Sequence, residues 1–217
     1  DRMSAISERQ RHALQGQLGL VGRLNGADRV SCIPIAFDLP FPRRAPTPRA
    51  PGDPLVVALS GAFNPWLDVS ALIEALDIAL TARQGISVMV TGGAAPGLPD
   101  ADWLRFQTWA KAWPERVRLH GWVPHGALPD ILGNAHVGLF LDRPEGREPE
   151  LGDRTRALLF AWLGLEVIAT TRTHRLAQLA ARGLITPADG GPTAARALIS
   201  ALDKGSDGLP SLGDALA

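Results

Sequence analysis

Residues 151–156 read Leu-Gly-Asp-Arg-Thr-Arg and run into an apolar stretch that Gly164 closes, which predicts a helix over Arg154–Leu163. A helix start offers free N–H groups and a positive partial charge. Gly152 would let an anion approach the backbone closely, and Thr155 with the guanidinium fork of Arg154 or Arg156 can grip phosphate-like oxygens. Two cations in a first turn oppose the helix dipole, a local cost that a binding site can carry. The alternative leaves them as solvated first-turn arginines. Just upstream, Glu148 and Glu150 sit beside Gly146, either as acids facing a ligand or as part of an ordinary acidic surface loop. The five histidines (His12, His120, His125, His136, His174) show no metal-ligand spacing, so no metal is expected. The glycine-rich stretch Thr91–Gly97 lacks G-x-G-x-x-G, and no G-x-S-x-G elbow or Walker lysine is present.

These residues need a scaffold, and from Leu55 onward the chain alternates strand and helix patterns. Predicted strands are Leu55–Ser60, Ile86–Val90, Val117–His120, Val137–Leu141, Val167–Thr170 and the short Leu184–Ile185. Between them lie helices from Asp68 (a cap) to about Arg83, Asp100–Trp113, Leu128–Leu132, Arg154–Leu163, His174–Ala181 and Thr193–Leu202. Leu72, Ile73, Leu76, Ala79 and Leu80 should face inward, and Trp103, Phe106 and Trp109 read as helix-face packing. Alternation of this kind implies right-handed crossovers and a parallel sheet with helices on both faces. Ligands of such sheets sit at the carboxyl ends of the strands, here the loops after Ser60, Val90, His120 and Leu141.

Ahead of this unit, the first thirty residues read as helical, with Ser4 or Ser7 as cap, although Gly16, Gly19 and Gly22 weaken the pattern. Ser31–Ile35 is a short extended run, and Pro40–Pro54 is a proline-rich linker. The organisation expected is therefore residues 1–54 as helical segment plus linker and 55–217 as a Rossmann-like α/β domain.

The 217 residues are 46% hydrophobic and 20% charged, enough for a core. Lys+Arg and Asp+Glu balance at 22 each, which removes the bulk electrostatic case for nucleic acid or a membrane surface. A single cysteine, Cys32, excludes an intramolecular disulfide and a thiolate metal cluster. No apolar run reaches transmembrane length and no signal peptide is recognised, so a cytoplasmic protein is expected. The opening Asp1-Arg2-Met3 suggests that a segment once preceded it.

Several segments, in order, resemble the C-terminal, nucleotide-sugar donor domain of retaining GT-B-fold glycosyltransferases (glycosyl transferases group 1 type). They are Ser7–Arg11 with Gly16-Gln17-Leu18, Ser60–Asp68 with Leu72–Leu76, His120-Gly121-Trp122-Val123-Pro124, Glu148–Arg156 with its R-T-R, and Gly164–Thr170. The resemblance implies one half of a GT-B fold that binds a nucleotide-diphospho-sugar through Gly61, Asn64, Trp122, Val123, Gly152, Arg154, Thr155 and Arg156. It places Glu148 near the reacting carbon of the sugar, as the catalytic-site acid. It implies no cofactor beyond the ligand, arginines rather than a metal against the diphosphate, and an acceptor-domain chain or segment as partner. Trp122 would flank the base, or else is partly buried packing. Arg154 is expected at a loop mouth, with little part in folding. The sequence also departs from the pattern. The usual basic residues after the first strand align with Ala62 and Trp66, the ribose-binding acid with Leu159, and the proline of G-L-P with Glu166. Two functions therefore remain: a transferase seen as its donor half and inactive alone, or a degenerate, non-catalytic binding or scaffold protein.

Overall fold

The structure, a computed structural model, describes residues 2–23, 29–33, 41–146 and 148–205, with the side chains of Glu148 and Pro149 left out. Pro34, Ile35, Pro40 and residues 206–217 of the expected segments thus lie outside the described residues.

The N-terminal part is not simply helical. Strand β1 (Met3–Ala5) precedes helix α1 (Glu8–Leu20), and β2 (Val30–Cys32) returns parallel to β1, in register Met3↔Val30 to Ala5↔Cys32. A three-residue strand leaves no period to read, so tertiary pairing decides it. Ser7, rather than Ser4, caps α1 by accepting from Gln10 N–H. No residue of α1 is buried.

From Leu55 the alternation holds: β3 (Leu55–Phe63), α2 (Val69–Ala82), β4 (Ile86–Ala94), α3 (Ala101–Ala110), β5 (Val117–Gly121), α4 (Leu128–Leu132), β6 (Val137–Phe140), α5 (Glu148–Leu151), α6 (Thr155–Trp162), β7 (Glu166–Ala169), α7 (His174–Ala181), β8 (Thr186–Pro187) and α8 (Gly191–Lys204). The six strands are parallel, in the order β5-β4-β3-β6-β7-β8. This is the Rossmann-like α/β architecture expected, and the order reverses between β3 and β6.

Buried strands explain the continuous apolar runs: Val57, Ala58, Val90, Leu139 and Ile168 are all within 2% of full burial. Asp68 caps α2 through Ala71 N–H at 2.9 Å. Leu72, Leu76, Ala79 and Leu80 fill the core below it, with Ile73 at its rim. Two strands outrun their expected ends. β3 and β4 pair without interruption from Leu55↔Ile86 to Phe63↔Ala94. Gly61 and Gly92 are partners there, at φ 95° and 100°, and a Cβ on Gly92 would stand 2.2 Å from the Gly61 carbonyl oxygen. The glycines that suggested loops allow a close, kinked continuation of the ladder instead.

Residues 41–54 form neither helix nor strand, yet they are strapped to the body. Arg44 N–H donates to Trp162 O, Trp162 Nε1 donates to Phe41 O, and Arg49 is buried against carbonyls at the end of α8. α8 packs along α2, Gly52 N–H donates to Leu202 O at 3.3 Å, and a Cβ on Gly205 would meet Pro51 N at 2.8 Å. No helix among the described residues is long and apolar enough to cross a membrane.

Candidate functional site

Where β3 and β6 part, the loops Asn64–Asp68 and Leu141–Pro144 open towards the first turn of α6. The N–H groups of Thr155 and Arg156 have no intrahelical partner, and Thr155 is exposed. Asp153 fixes this helix start: its carboxylate accepts from Arg154 N–H at 2.8 Å and pairs with Arg175 Nε at 2.7 Å. Gly152 lies half-buried beside it, with Arg154 Nη1 3.4 Å from where a Cβ would be.

Arg154 does not lie free at a loop mouth. Its Nε donates to both oxygens of Asp142, at 2.8 and 3.0 Å, and its side chain is only 14% exposed against 0% for Asp142. Burial pushes the Asp142 carboxyl above its ordinary range, while Arg154 and Thr170 pull it back. Thr170 Oγ1 also accepts from Asp142 N–H at 2.9 Å, so the end of β7 holds the end of β6. Arg154 Nη2 is buried without a partner among the described residues. An ion pair that uses only Nε leaves this end of the guanidinium for something else.

Arg156 turns from α6 towards β3. It donates to Ala62 O, and its guanidinium carbon stands 5.5 Å from the centre of the Phe140 ring. Burial lowers its pKa to about 10, with the charge of Arg154 adding to the effect and that of Asp142 opposing it. Gly61 lies under it: a Cβ at that position would be 2.8 Å from Arg156 Nε. Asn64 is a turn-former here, its Oδ1 accepting from Trp66 N–H.

Two to three strands away, Trp122 lies across the end of β4, its Nε1 donating to Ala94 O at 3.2 Å, with 59% of the residue exposed. Trp103 supports Gly93 from below, 3.4 Å from where a Cβ would be. The indole face of Trp122 is thus open rather than packed away, whereas Val123 is partly buried against the core. Leu159 is 9% exposed and belongs to the main core, so it does not floor an open pocket, despite its four-residue spacing from Thr155. The backbone of Glu148 opens α5; its side chain lies outside the described residues. Glu150 comes within 3.7 Å of Arg172.

The structure therefore gathers Gly61, Gly152, Arg154, Thr155 and Arg156 about one helix start and leaves Trp122 and Val123 along the same sheet edge. Sequence reasoning missed Asp142, Thr170, Arg172 and Arg9. Arg172 donates to Arg143 O at 2.8 Å and Gly146 O at 2.6 Å, stapling the loop that leads to Glu148, and Arg9 of α1 donates to Arg172 O at 3.3 Å. Together they line an open cleft of about 430 Å³ between α1 and the ends of β6 and β7. The signal available was position: the loop after Thr170 faces the same pole as the four loops singled out.

No protein-family profile and no curated protein matches the chain. Among solved structures it is similar to Anabaena HepE in complex with UDP and glucose, with a TM-score of 0.64 and 16% identity, over 93% of this chain and 53% of that one. It is also similar to a TarM variant of S. aureus in complex with fondaparinux, alpha-GlcNAc-glycerol and UDP, with a TM-score of 0.66 and 10% identity, over 94% and 37%. A third is the C-terminal domain of a glycosyl transferase group 1 family protein from Francisella tularensis, with a TM-score of 0.54 and 16% identity, over 70% and 76%. The chain thus spans about half or less of the length of the first two. At these identities the likeness is one of fold, and the fold is that found in GT-B glycosyltransferases.

Proposed function

We propose that this glycosyltransferase-like fold is the donor half of a GT-B enzyme, binding a nucleotide-diphospho-sugar and inactive in transfer by itself. The observation that carries this reading is the convergence of the first turn of α6, Arg156 and Gly61 at the β3/β6 junction, with a buried N–H group of Arg154 left over. Free amides and guanidinium groups at a switch point suit a diphosphate. Trp122 and Val123, three strand spacings or about 14 Å from β6, suit the base of an elongated ligand. Gly152 and Thr155 would flank the phosphates, Asn64 shapes the loop beside them, and the sugar would extend towards Glu148 and the cleft under Arg9 and Arg172. Arginines supply the charge, so no metal or cofactor is included in this reading. A cytoplasmic location belongs to it as well.

The donor-half element rests on β1-α1-β2. Parallel sheets are normally covered on both faces, yet this two-stranded one carries a crossover helix with nothing buried. Met3, Leu20, Val21 and Ile33 are exposed around it. It has the form of the edge of a further sheet, suited to an acceptor domain on the same or another chain.

The test is calorimetry with UDP, GDP, ADP and dTDP, followed by a transfer assay. One of these should bind, and the chain alone should transfer no sugar, because orientation of an acceptor requires the second wall of the site. Absence of binding at millimolar ligand would overturn the reading, and transfer by the chain alone would overturn its inactivity. A non-catalytic binding or scaffold role is favoured by one observation, a loop at the end of β3 (Ala62–Leu67) that carries no cation of its own. Transfer restored by adding an acceptor domain decides for the enzyme, and nucleotide binding without any such restoration decides for the scaffold.

A further inference from the structure

At the opposite pole of the sheet, the strap and the body enclose a second cavity of about 70 Å³. Pro46, Thr47 and Arg49 of the strap form one wall, and the starts of β6, β7 and β8 form another. Leu55, Val137, Leu165, Leu184 and Ile185 line it with hydrocarbon. One water needs roughly 10–15 Å³ of such space, so the cavity admits more than a water.

Glu166 and His136 also line it, on neighbouring strand starts, with Glu166 N–H donating to His136 O at 2.8 Å. Glu166 stands where the resembling sequences carry a proline. Each of the two side chains has one polar atom spent and one left over. Glu166 Oε1 accepts from Thr186 Oγ1 at 3.1 Å, and Oε2 has no partner among the described residues. His136 Nδ1 accepts from Val56 N–H at 3.0 Å, which puts the ring proton on Nε2, also without a partner there. Neither leftover atom is sealed in: the buried side-chain atoms lacking a partner, among the described residues, are Trp113 Nε1 and Arg154 Nη2. Burial lowers the His136 pKa, with the charge of Arg49 adding and that of Asp53 opposing, so the ring is neutral at neutral pH. One acceptor and one neutral donor are therefore on offer.

Charge narrows what can use them. Arg49 spends its Nη groups on the carbonyls of Asp53, Leu202 and Ala201 but still brings a positive charge to the wall. An anion would meet the carboxylate of Glu166, and a cation would meet Arg49; a neutral molecule meets neither penalty. Water can satisfy the two polar atoms but gains nothing from the hydrocarbon walls. A hydroxylated carbon chain does both, since its hydroxyls reproduce the bonds of the water and its carbons cover the apolar surface.

We propose that this cavity binds a short neutral diol or triol, one hydroxyl donating to Glu166 and another accepting from His136, with the carbons against the apolar walls. None of its residues belongs to the candidate site at the carboxyl pole, so it stands or falls apart from the donor reading.

The experiment is a titration of the full chain with propylene glycol and with glycerol, followed through the His136 ring resonances and the amides of Ile185 and Thr186. Saturable shifts confined to this pole are expected. Propanol lacks the second hydroxyl, alaninol replaces one with an ammonium group, and lactate adds a carboxylate; each should bind at least about tenfold more weakly. Glu166→Leu should weaken diol binding by about ten- to a hundredfold. Ala201→Leu, which fills the space and leaves both polar side chains, should abolish it. Shifts that grow without saturation, or that are the same in parent and variants, overturn the proposal, as does alaninol or lactate binding as well as the diol. Should both variants fail to fold, the parent chain decides through the same four small molecules: a diol no better bound than propanol refutes the paired contact.

Discussion

Both poles of the sheet hold an arginine largely withdrawn from solvent, and they use it differently. At the amino pole Arg49, 7% exposed, donates from Nη1 to Asp53 O at 2.8 Å and Leu202 O at 3.0 Å, and from Nη2 to Ala201 O. Its donors join carbonyls at the end of α8 to the carbonyl of Asp53, and the strap is fastened as a result. At the carboxyl pole Arg154 is held by Nε alone, and Arg156 by a carbonyl and a ring. Burial does not separate structural from ligand-seeking arginines. What separates them is how many N–H groups the fold itself consumes.

The largest effect should come from Arg154→Ala. It would strand the fully buried carboxylate of Asp142 and cost about 3–5 kcal/mol, read by denaturant unfolding. Adding Asp142→Asn should return much of that stability without returning nucleotide affinity, which would separate the tie from the leftover N–H group. An Arg154→Ala chain as stable as its parent would erase the contrast between tied and matched arginines. Arg49→Ala should follow, at about 2–3 kcal/mol for the lost charge-assisted hydrogen bonds. Nucleoside diphosphate affinity should be unchanged at temperatures where the variant is folded; a weakened affinity would show that the two poles are not independent.

The smallest effect concerns Glu166, whose carboxyl at the amino pole accepts from Thr186 Oγ1 at 3.1 Å. Burial raises its pKa, with Thr186, Lys204 and Arg49 opposing the shift. A raised carboxyl pKa favours the protonated form in the fold. That contribution is full below the unfolded-state pKa and is lost as pH climbs through the folded value. Glu166→Gln, which keeps the acceptor for Thr186, should therefore stabilise at neutral pH by no more than about 1 kcal/mol and gain nothing at pH 4. Melting curves at the two pH values check this, and a gain of equal size at both would refute the charge argument.

The Rossmann-like body was legible because its strands are buried on both faces, and Val57 or Ile168 needs no partner to read as apolar. The helix start at Thr155 was legible too, since caps and first turns are local. What escaped the sequence depends on contacts far apart in the chain. Arg154 and Asp142 are twelve residues apart. The Gly61–Gly92 pairing turns two loop signals into one ladder, and Arg49 in a proline-rich stretch gives no hint that it ends α8. Leu159 shows the opposite failure: its four-residue spacing predicts the face of Thr155, yet Thr155 is exposed and Leu159 belongs to the core.

The chain comes into the body past Arg49, Pro51 and Gly52; Gly205, after the last helix, lies against Pro51 and the Arg49 carbonyl, and the first and last helices of the body are side by side. Topologically the span is a closed ring with a single doorway, set at the pole away from the candidate site. A ring of that kind can hang from either end of another polypeptide, or sit within one, without rerouting a strand. The doorway at the strap thus keeps the covalent links of the body at the pole opposite the strand ends that carry the candidate site.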